Sequence, residues 1–183
     1  MITLTPDHAY LVDGQNYPGF SEIAKAMGLV RYFNSDKFFL ERGSAIHAAT
    51  HLIDRGELDW STVDPRIEPF LEAYMRFKED HMPYGWEHAE ESLHHPTYRY
   101  CGTPDRFLPL YDLKSGQGDT IQLEAYSELL RANGHNPGLY GYLLQLNGDG
   151  TYKIVRHKYD RKLLGVWLSA VSVYQYRKLK GLL

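Results

Sequence analysis

Asp112 and Lys114 stand two apart in a stretch, residues 110–114, that reads as a strand, so their side chains share one face while Leu113 points the other way, into a core. Asp105 belongs to the preceding strand. A hairpin turning at Leu108-Pro109 sets Asp105 directly opposite Asp112, with Cβ atoms ~5 Å apart; a longer loop at Pro109 would slip that register. Facing carboxylates repel each other. A hard divalent cation such as Mg²⁺ or Mn²⁺, which prefers oxygen ligands, relieves the repulsion. The plain alternative is a pair of acids on a solvated face with Lys114 as neutraliser, because an isolated D-x-K tripeptide is common by chance. Other reactive side chains surround this segment. Glu90 and Gly102 precede it, and Gln122 and Tyr126 follow one helical turn apart, facing the same direction. Gln122 also reads as an exposed helix residue and Tyr126 as sheet packing. Upstream, Gly43 to His47 places a histidine in a helix rich in Ala and Ile. His47 and His51 have the spacing of a zinc pair, but no cysteine or third ligand supports it; a helix histidine satisfied by a backbone carbonyl is the commoner case. His94-His95 reads as exposed.

The elements that must position these groups follow from hydrophobic period and turn chemistry. Residues 10–17 read as a small hairpin around Asp13-Gly14. Residues 20–27 form a short helix stopped by Gly28. A longer helix spans about 36–55, with Ser35 as N-cap and Gly56 beyond its end. Asp64-Pro65 opens another helix, to about Asp80. The period then changes. Residues 86–95, 98–108 and 110–114 read as a three-strand meander with turns at Pro96-Thr97 and Pro109. Asp119 caps a helix closed by Gly134. Residues 139–146 and 151–159 form a hairpin about Asn147-Gly148-Asp149-Gly150, and Asp160 starts a final helix reaching Lys180. The expected fold class is mixed α/β (α+β): one domain, residues 1–183, built on a central mixed sheet flanked by helices.

Composition narrows the function classes. The 183 residues are 43% hydrophobic and 23% charged, as in ordinary globular domains, which excludes a disordered or fibrous chain. No apolar run approaches the ~20 residues of a membrane span, and the N-terminus lacks the basic and apolar regions of a signal peptide. A single cysteine, Cys101, excludes an internal disulfide framework and any multi-thiolate cluster, so a reducing compartment, the cytoplasm, is the expected location. Net charge is −3 but unevenly spread. Residues 1–152 hold 12 Lys and Arg against 22 Asp and Glu, and residues 153–183 hold 8 against one, Asp160. A basic C-terminal segment on an acidic body suits an anionic partner such as nucleic acid; a solvated helix face is the plain alternative.

The order and spacing of the motifs resemble the RecB-type branch of the PD-(D/E)XK nuclease superfamily, including its phage exonucleases. The matching pieces are Gly43 to His47 (G-x-x-x-H), Glu90 followed by Gly102 to Asp105 (E, then G-x-x-D), Asp112 to Lys114 (D-x-K) and Gln122 to Tyr126 (Q-x-x-x-Y), with the 10–17 hairpin resembling the start of phage-type members. The likeness spans about residues 10–160. It implies a restriction-endonuclease-like core, Mg²⁺ or Mn²⁺, and hydrolysis of DNA phosphodiesters in replication, recombination or repair, in the host cytoplasm if the gene is a phage's. It implies Asp105, Asp112 and the carbonyl of Leu113 as metal ligands, with His47 adding a nitrogen. Lys114 would orient water and offset charge on the phosphorane, Glu90 would hold water or Lys114, and Gln122 and Tyr126 would position Lys114 or its strand. The four cysteines of iron–sulfur relatives are missing, so no such cluster is expected. No G-x-x-x-x-G-K-[ST] loop exists, so no nucleotide cofactor is expected either.

The expected partner is DNA, at ends or as single strands, and no membrane. Arg177, Lys178 and Lys180 are candidate phosphate contacts, and Tyr98 and Tyr100 candidate base-stacking groups. An exonuclease is favoured over a sequence-specific endonuclease, since 183 residues leave little room for an added recognition domain. Two rivals remain at this level: a non-catalytic nucleic-acid-binding module that keeps the fold, and an interaction subunit whose acidic face binds a partner.

Overall fold

A computed structural model describes residues 1–5, 9–30, 37–82 and 85–183. The chain begins with three short strands, β1 (Ile2–Leu4), β2 (Tyr10–Val12) and β3 (Gln15–Tyr17), in an antiparallel sheet. The β2–β3 turn is Asp13-Gly14, both at positive φ, as an Asp-Gly hairpin turn requires. Helix α1 (Phe20–Ala26) ends before Gly28, whose φ of +65° closes it. Helix α2 (Lys37–Arg55) ends at Gly56; the expected cap at Ser35 and start at Asp36 lie outside the described residues.

Helix α3 (Glu68–His81) starts later than its sequence signals suggest. The Asp64 side chain accepts from the Arg66 backbone N–H at 2.9 Å, and Ile67 N–H reaches back to the Asp64 carbonyl. Asp64 thus closes a separate turn, and the helix begins only after it.

The expected meander is present but broken. Its first two strands each split, into β4 (His88–Ala89) with β5 (Leu93–His95), and β6 (Tyr100–Gly102) with β7 (Arg106–Phe107); β8 (Tyr111–Lys114) follows. β5 and β6 pair with each other as a separate two-stranded sheet. β4 and β7 join the central sheet, whose order is β10-β9-β8-β7-β4, where β9 is Tyr140–Leu146 and β10 Tyr152–Lys158. The breaks fall at Glu90, held at a φ of +55°, and at residues 103–105. The β7–β8 register pairs Arg106 with Tyr111 across a turn through Leu108-Pro109, one step before Asp105 would meet Asp112. β8 and β9 are parallel, connected by α4 (Ile121–Ala132), and β9 and β10 are antiparallel over seven pairs. α5 (Arg161–Leu179) closes the chain, with the Asp160 side chain accepting from Lys162 N–H at 2.8 Å as its N-cap.

The central sheet separates two apolar clusters. One holds α1, α4 and α5, with Phe20, Leu123, Leu129, Leu143 and Trp167. The other holds α2 and α3, with Ile46, Leu71, Phe77, Leu113 and Leu144. Leu113 therefore faces a core, as alternation along the strand predicts, while Asp112 and Lys114 face away from it.

Candidate active site

One face of α2 runs along the open edge of the sheet, where β7 and β8 diverge. Gly43, His47, Thr50 and Asp54 follow the helical spacing i, i+4, i+7, i+11. Gly43 lies against Ser115, where an added Cβ would sit 3.7 Å from the hydroxyl. His47 Nδ1 is 3.1 Å from Asp105 Oδ1. Asp54 reaches Arg106, whose Nε donates to Oδ2 at 2.6 Å.

Asp105 sits where the β7 ladder ends, and its side chain takes the place of a strand partner. Leu113 N–H donates to Asp105 Oδ2 at 2.6 Å. The N–H and carbonyl of one strand residue face the same neighbour, so the Leu113 carbonyl lies on the Asp105 side of β8. Burial works to raise the Asp105 pKa, but His47, Lys114 and the Leu113 N–H outweigh it and hold the carboxyl below its ordinary value. Burial likewise works against charge on His47, and the Asp105 carboxylate more than reverses it.

Asp112 is 1% exposed. Lys114 Nζ lies 2.8 Å from its Oδ2, yet neither carboxylate oxygen has a well-aligned hydrogen bond. Burial first, and then the Asp105 charge, push its carboxyl up to about 6. Lys114 Nζ donates to Gln122 Oε1 at 3.0 Å, and Gln122 Nε2 donates to the Tyr126 hydroxyl at 3.1 Å. α4 thus anchors the lysine through a two-bond relay. Tyr126 can approach because Gly102 lacks a side chain: a Cβ there would meet the ring at 2.6 Å. Gly102 is the close-approach glycine of the G-x-x-D motif.

Glu90 completes the cluster. Its backbone N–H bonds the Asp105 carbonyl at 3.3 Å, across the break in the meander. Burial and the Asp105 charge push Glu90 up to about 7. Its Oε1 accepts from Arg106 Nη1 at 3.2 Å. Ligand atoms of His47, Glu90 and Asp105 all lie within 4.8 Å of one another, the spacing of a metal-binding group. His51, the other half of the sequence-level zinc pair, lies outside this group, and its Nδ1 is buried without a hydrogen bond.

Sequence reasoning missed Arg106. It is fully buried, bonds Asp54, Glu90 and the Asp105 carbonyl (2.5 Å), and lies over the Tyr74 ring. Tyr74 itself donates to Asp54 Oδ2 at 2.7 Å. An arginine directly after the motif aspartate was the available signal, since a charged residue in a core strand must find buried partners.

Two expectations are corrected. Tyr100 is fully buried, donates to the Ala125 carbonyl at 2.9 Å, and cannot reach a base. His95 is also buried rather than exposed: Thr97 and Tyr98 N–H donate to its Nδ1, and Glu128 faces its Nε2 at 3.6 Å. Tyr98 is half-buried, edge-on to His95. At the end of α5, Lys178 and its C-cap Lys180 are exposed and Arg177 is half-buried. That end packs against β3 and the 96–99 turn, since Gln175 donates to the Arg99 carbonyl and Lys178 shares a cleft with Tyr17 and Arg99. It therefore flanks the opposite end of β6 from Gly102.

No family model matches the chain, and no curated protein matches it in sequence. Solved structures do. A candidate exonuclease from Eubacterium rectale matches with a TM-score of 0.57 and 15% identity, over 90% of this chain and 75% of that one. LHK-Exo, solved in complex with dAMP, matches with a TM-score of 0.50 and 14% identity, over 91% of this chain and 89% of that one. At these identities the likeness is one of fold. The chain's mixed α/β architecture, five helices about a mixed sheet among the described residues, is the architecture of these exonuclease-named structures.

Proposed function

We propose that the protein is a divalent-metal-dependent deoxyribonuclease, acting as an exonuclease on DNA ends or single strands. The observation that carries this reading is the His47–Glu90–Asp105 group, with the buried carboxylate of Asp112, paired to Lys114 Nζ at 2.8 Å, beside it. Two buried carboxylates, Asp105 and Asp112, share this site with one ammonium, Lys114, and a bound cation would offset the remaining charge. Asp112, Asp105 and the Leu113 carbonyl supply oxygens suited to Mg²⁺ or Mn²⁺, and His47 adds a nitrogen that suits Mn²⁺. When bound, such an ion supplies Lewis-acid activation of water and of the leaving oxygen.

The remaining work falls to the chain's own groups. Lys114, held by Gln122 and Tyr126, presents an ammonium where negative charge develops on the attacked phosphate. Asp105 stays ionised near neutral pH and orients His47. Glu90, poised near neutrality, can take a proton from water entering the cluster. Arg106 fixes Glu90 and the Asp105 backbone in place. The Arg177–Lys180 region contributes DNA affinity at a distance from the chemistry.

Cleavage of end-labelled single- and double-stranded DNA, with Mn²⁺ and then with EDTA, tests the reading. Mononucleotide release that EDTA abolishes is expected. DNA binding without cleavage in any divalent ion would make the protein a binding module on a nuclease fold.

A further inference from the structure

Beyond Lys114 the sheet edge opens into a cleft of about 450 Å³. Its lining includes Arg42, Ser115, Gln117, Gln145, Asn147 and Gly148, and no carboxylate is among its described lining residues. The first 152 residues carry 22 acids against 12 bases, and this lining holds a base, Arg42, and none of those acids. The cleft is continuous with the candidate site: Ser115 follows Lys114, and Gln145 is the residue paired with Lys114 across the β8–β9 ladder. Arg42 forms its wall. One Nη donates to the Ser115 carbonyl at 3.2 Å, which leaves Nε without a partner. The guanidinium lies 4.9 Å from the Phe70 ring in the cleft and 5.0 Å from the ring of Phe39 outside it. Phe39 is 51% exposed at the start of α2.

We propose that this cleft holds the unpaired DNA strand on the Lys114 side of the scissile phosphate, with Arg42 on a backbone phosphate, Gln117 beside the strand and a base stacked on Phe39. The combination of an exposed aromatic face, an adjacent cation and neutral hydrogen-bonding groups is what a single strand requires. Stacking tolerates any base, and an acid-free lining avoids repelling phosphates. A duplex would not fit equally well, since its bases are already stacked on each other. The inference rests on the nuclease reading for the position of the scissile phosphate, but the strand's presence in the cleft is tested by binding alone.

Fluorescence anisotropy with Ca²⁺ compares a short oligothymidylate, an abasic strand of the same length and a duplex, on wild type, Phe39→Ala, Phe39→Leu, Gln117→Lys and Gln117→Glu. Phe39 and Gln117 are exposed, so melting temperatures verify folding directly. Wild type is expected to favour oligothymidylate over the abasic strand and the duplex. Phe39→Ala and Phe39→Leu should both lose roughly fivefold or more on oligothymidylate and little on the abasic strand. Gln117→Lys should tighten binding and Gln117→Glu weaken it. Wild-type affinity in all four variants, or no preference of wild type for the strand with bases, overturns the proposal. Cleavage by wild type with Mn²⁺ separates the two readings. Cleavage together with Phe39-independent binding removes the cleft assignment alone. Phe39-dependent binding without cleavage keeps the cleft and removes the nuclease.

Discussion

On one side of β8 the sheet is regular. β9 and β10 run together through seven consecutive pairs, and Leu143, Leu144 and Leu146 of β9 are at most 2% exposed. On the other side, β7 pairs with β8 at a single position and β4 with β7 at two, and the backbone parts at Glu90 and Asp105. The buried side chains beside that gap include three charged ones, Asp105, Arg106 and Asp112, among Phe107, Tyr111 and Leu113. The regular edge is stabilised by apolar burial and a complete ladder. At the broken edge a carboxylate side chain fills one ladder position, and charges occupy the space where apolar groups would be more stable. Such an edge makes sense as a binding site for something positive. Apolar burial concentrates in one half of the sheet, and the proposed chemistry in the other.

Variants in the two halves should separate these roles. The largest effect is expected from Lys114→Ala, which removes the ammonium proposed to meet the phosphate. Cleavage should fall by about a thousandfold or more, while Mn²⁺ binding followed by calorimetry persists, because an ammonium is no ligand. Wild-type cleavage in this variant would remove Lys114 from the mechanism. Leu144→Ala, in the regular half, should do the reverse. It leaves a cavity beside Leu71 and Leu113 in a packed cluster and should cost about 2–5 kcal/mol in denaturant unfolding. The molecules that remain folded should cleave normally. Equal losses of activity per folded molecule in both variants would mean that the halves are not separable.

The smallest effect concerns the far end of α5. Neutralising Arg177, Lys178 and Lys180 together should weaken DNA binding and flatten its salt dependence, by roughly one unit of slope for each phosphate left without its cation, with the cleavage step unaffected. An unchanged slope would show that this end of the helix stays clear of DNA.

The regular half was readily legible in the sequence. Two seven-residue strands about Asn147-Gly148-Asp149-Gly150, and a helix capped by Asp160, are local patterns that need no distant partner. The hairpin turn at Leu108-Pro109 was legible too, and with it the approach of Asp105 to Asp112. The breaks at Glu90 and Asp105 were not, because a strand pattern continues through both. What interrupts it is a side chain from one strand bonding the backbone of another. The Arg106–Asp54 pair spans 52 positions and leaves no periodic trace. Tyr100 and His95 were assigned to the surface by residue type. Their burial follows from β5 and β6 leaving the central sheet to pack against α4, a consequence of those same breaks.

The account stands most directly on the claim that the broken edge holds charge for a cation. Asp112 is pushed up to about 6 and Glu90 to about 7, so the folded state disfavours both carboxylates. His47 is raised by Asp105, so its protonated form is favoured. A raised folded pKa means that the native state holds the proton more tightly than the unfolded chain does. All three groups therefore make metal-free stability fall as pH rises, from about 4 to above 6.5. Thermal melts of wild type and Asp112→Asn decide the matter, each in EDTA and in Mn²⁺ at pH values on both sides of this window. In EDTA above the window, Asp112→Asn should melt higher than wild type by about 1 kcal/mol, a few degrees for a domain of this size, and the gap should close as pH falls. Mn²⁺ should raise the wild-type melting temperature and barely move the variant. If Asp112→Asn melts lower than wild type in EDTA, and Mn²⁺ moves neither protein, Asp112 is a structural residue and the edge is not a metal site.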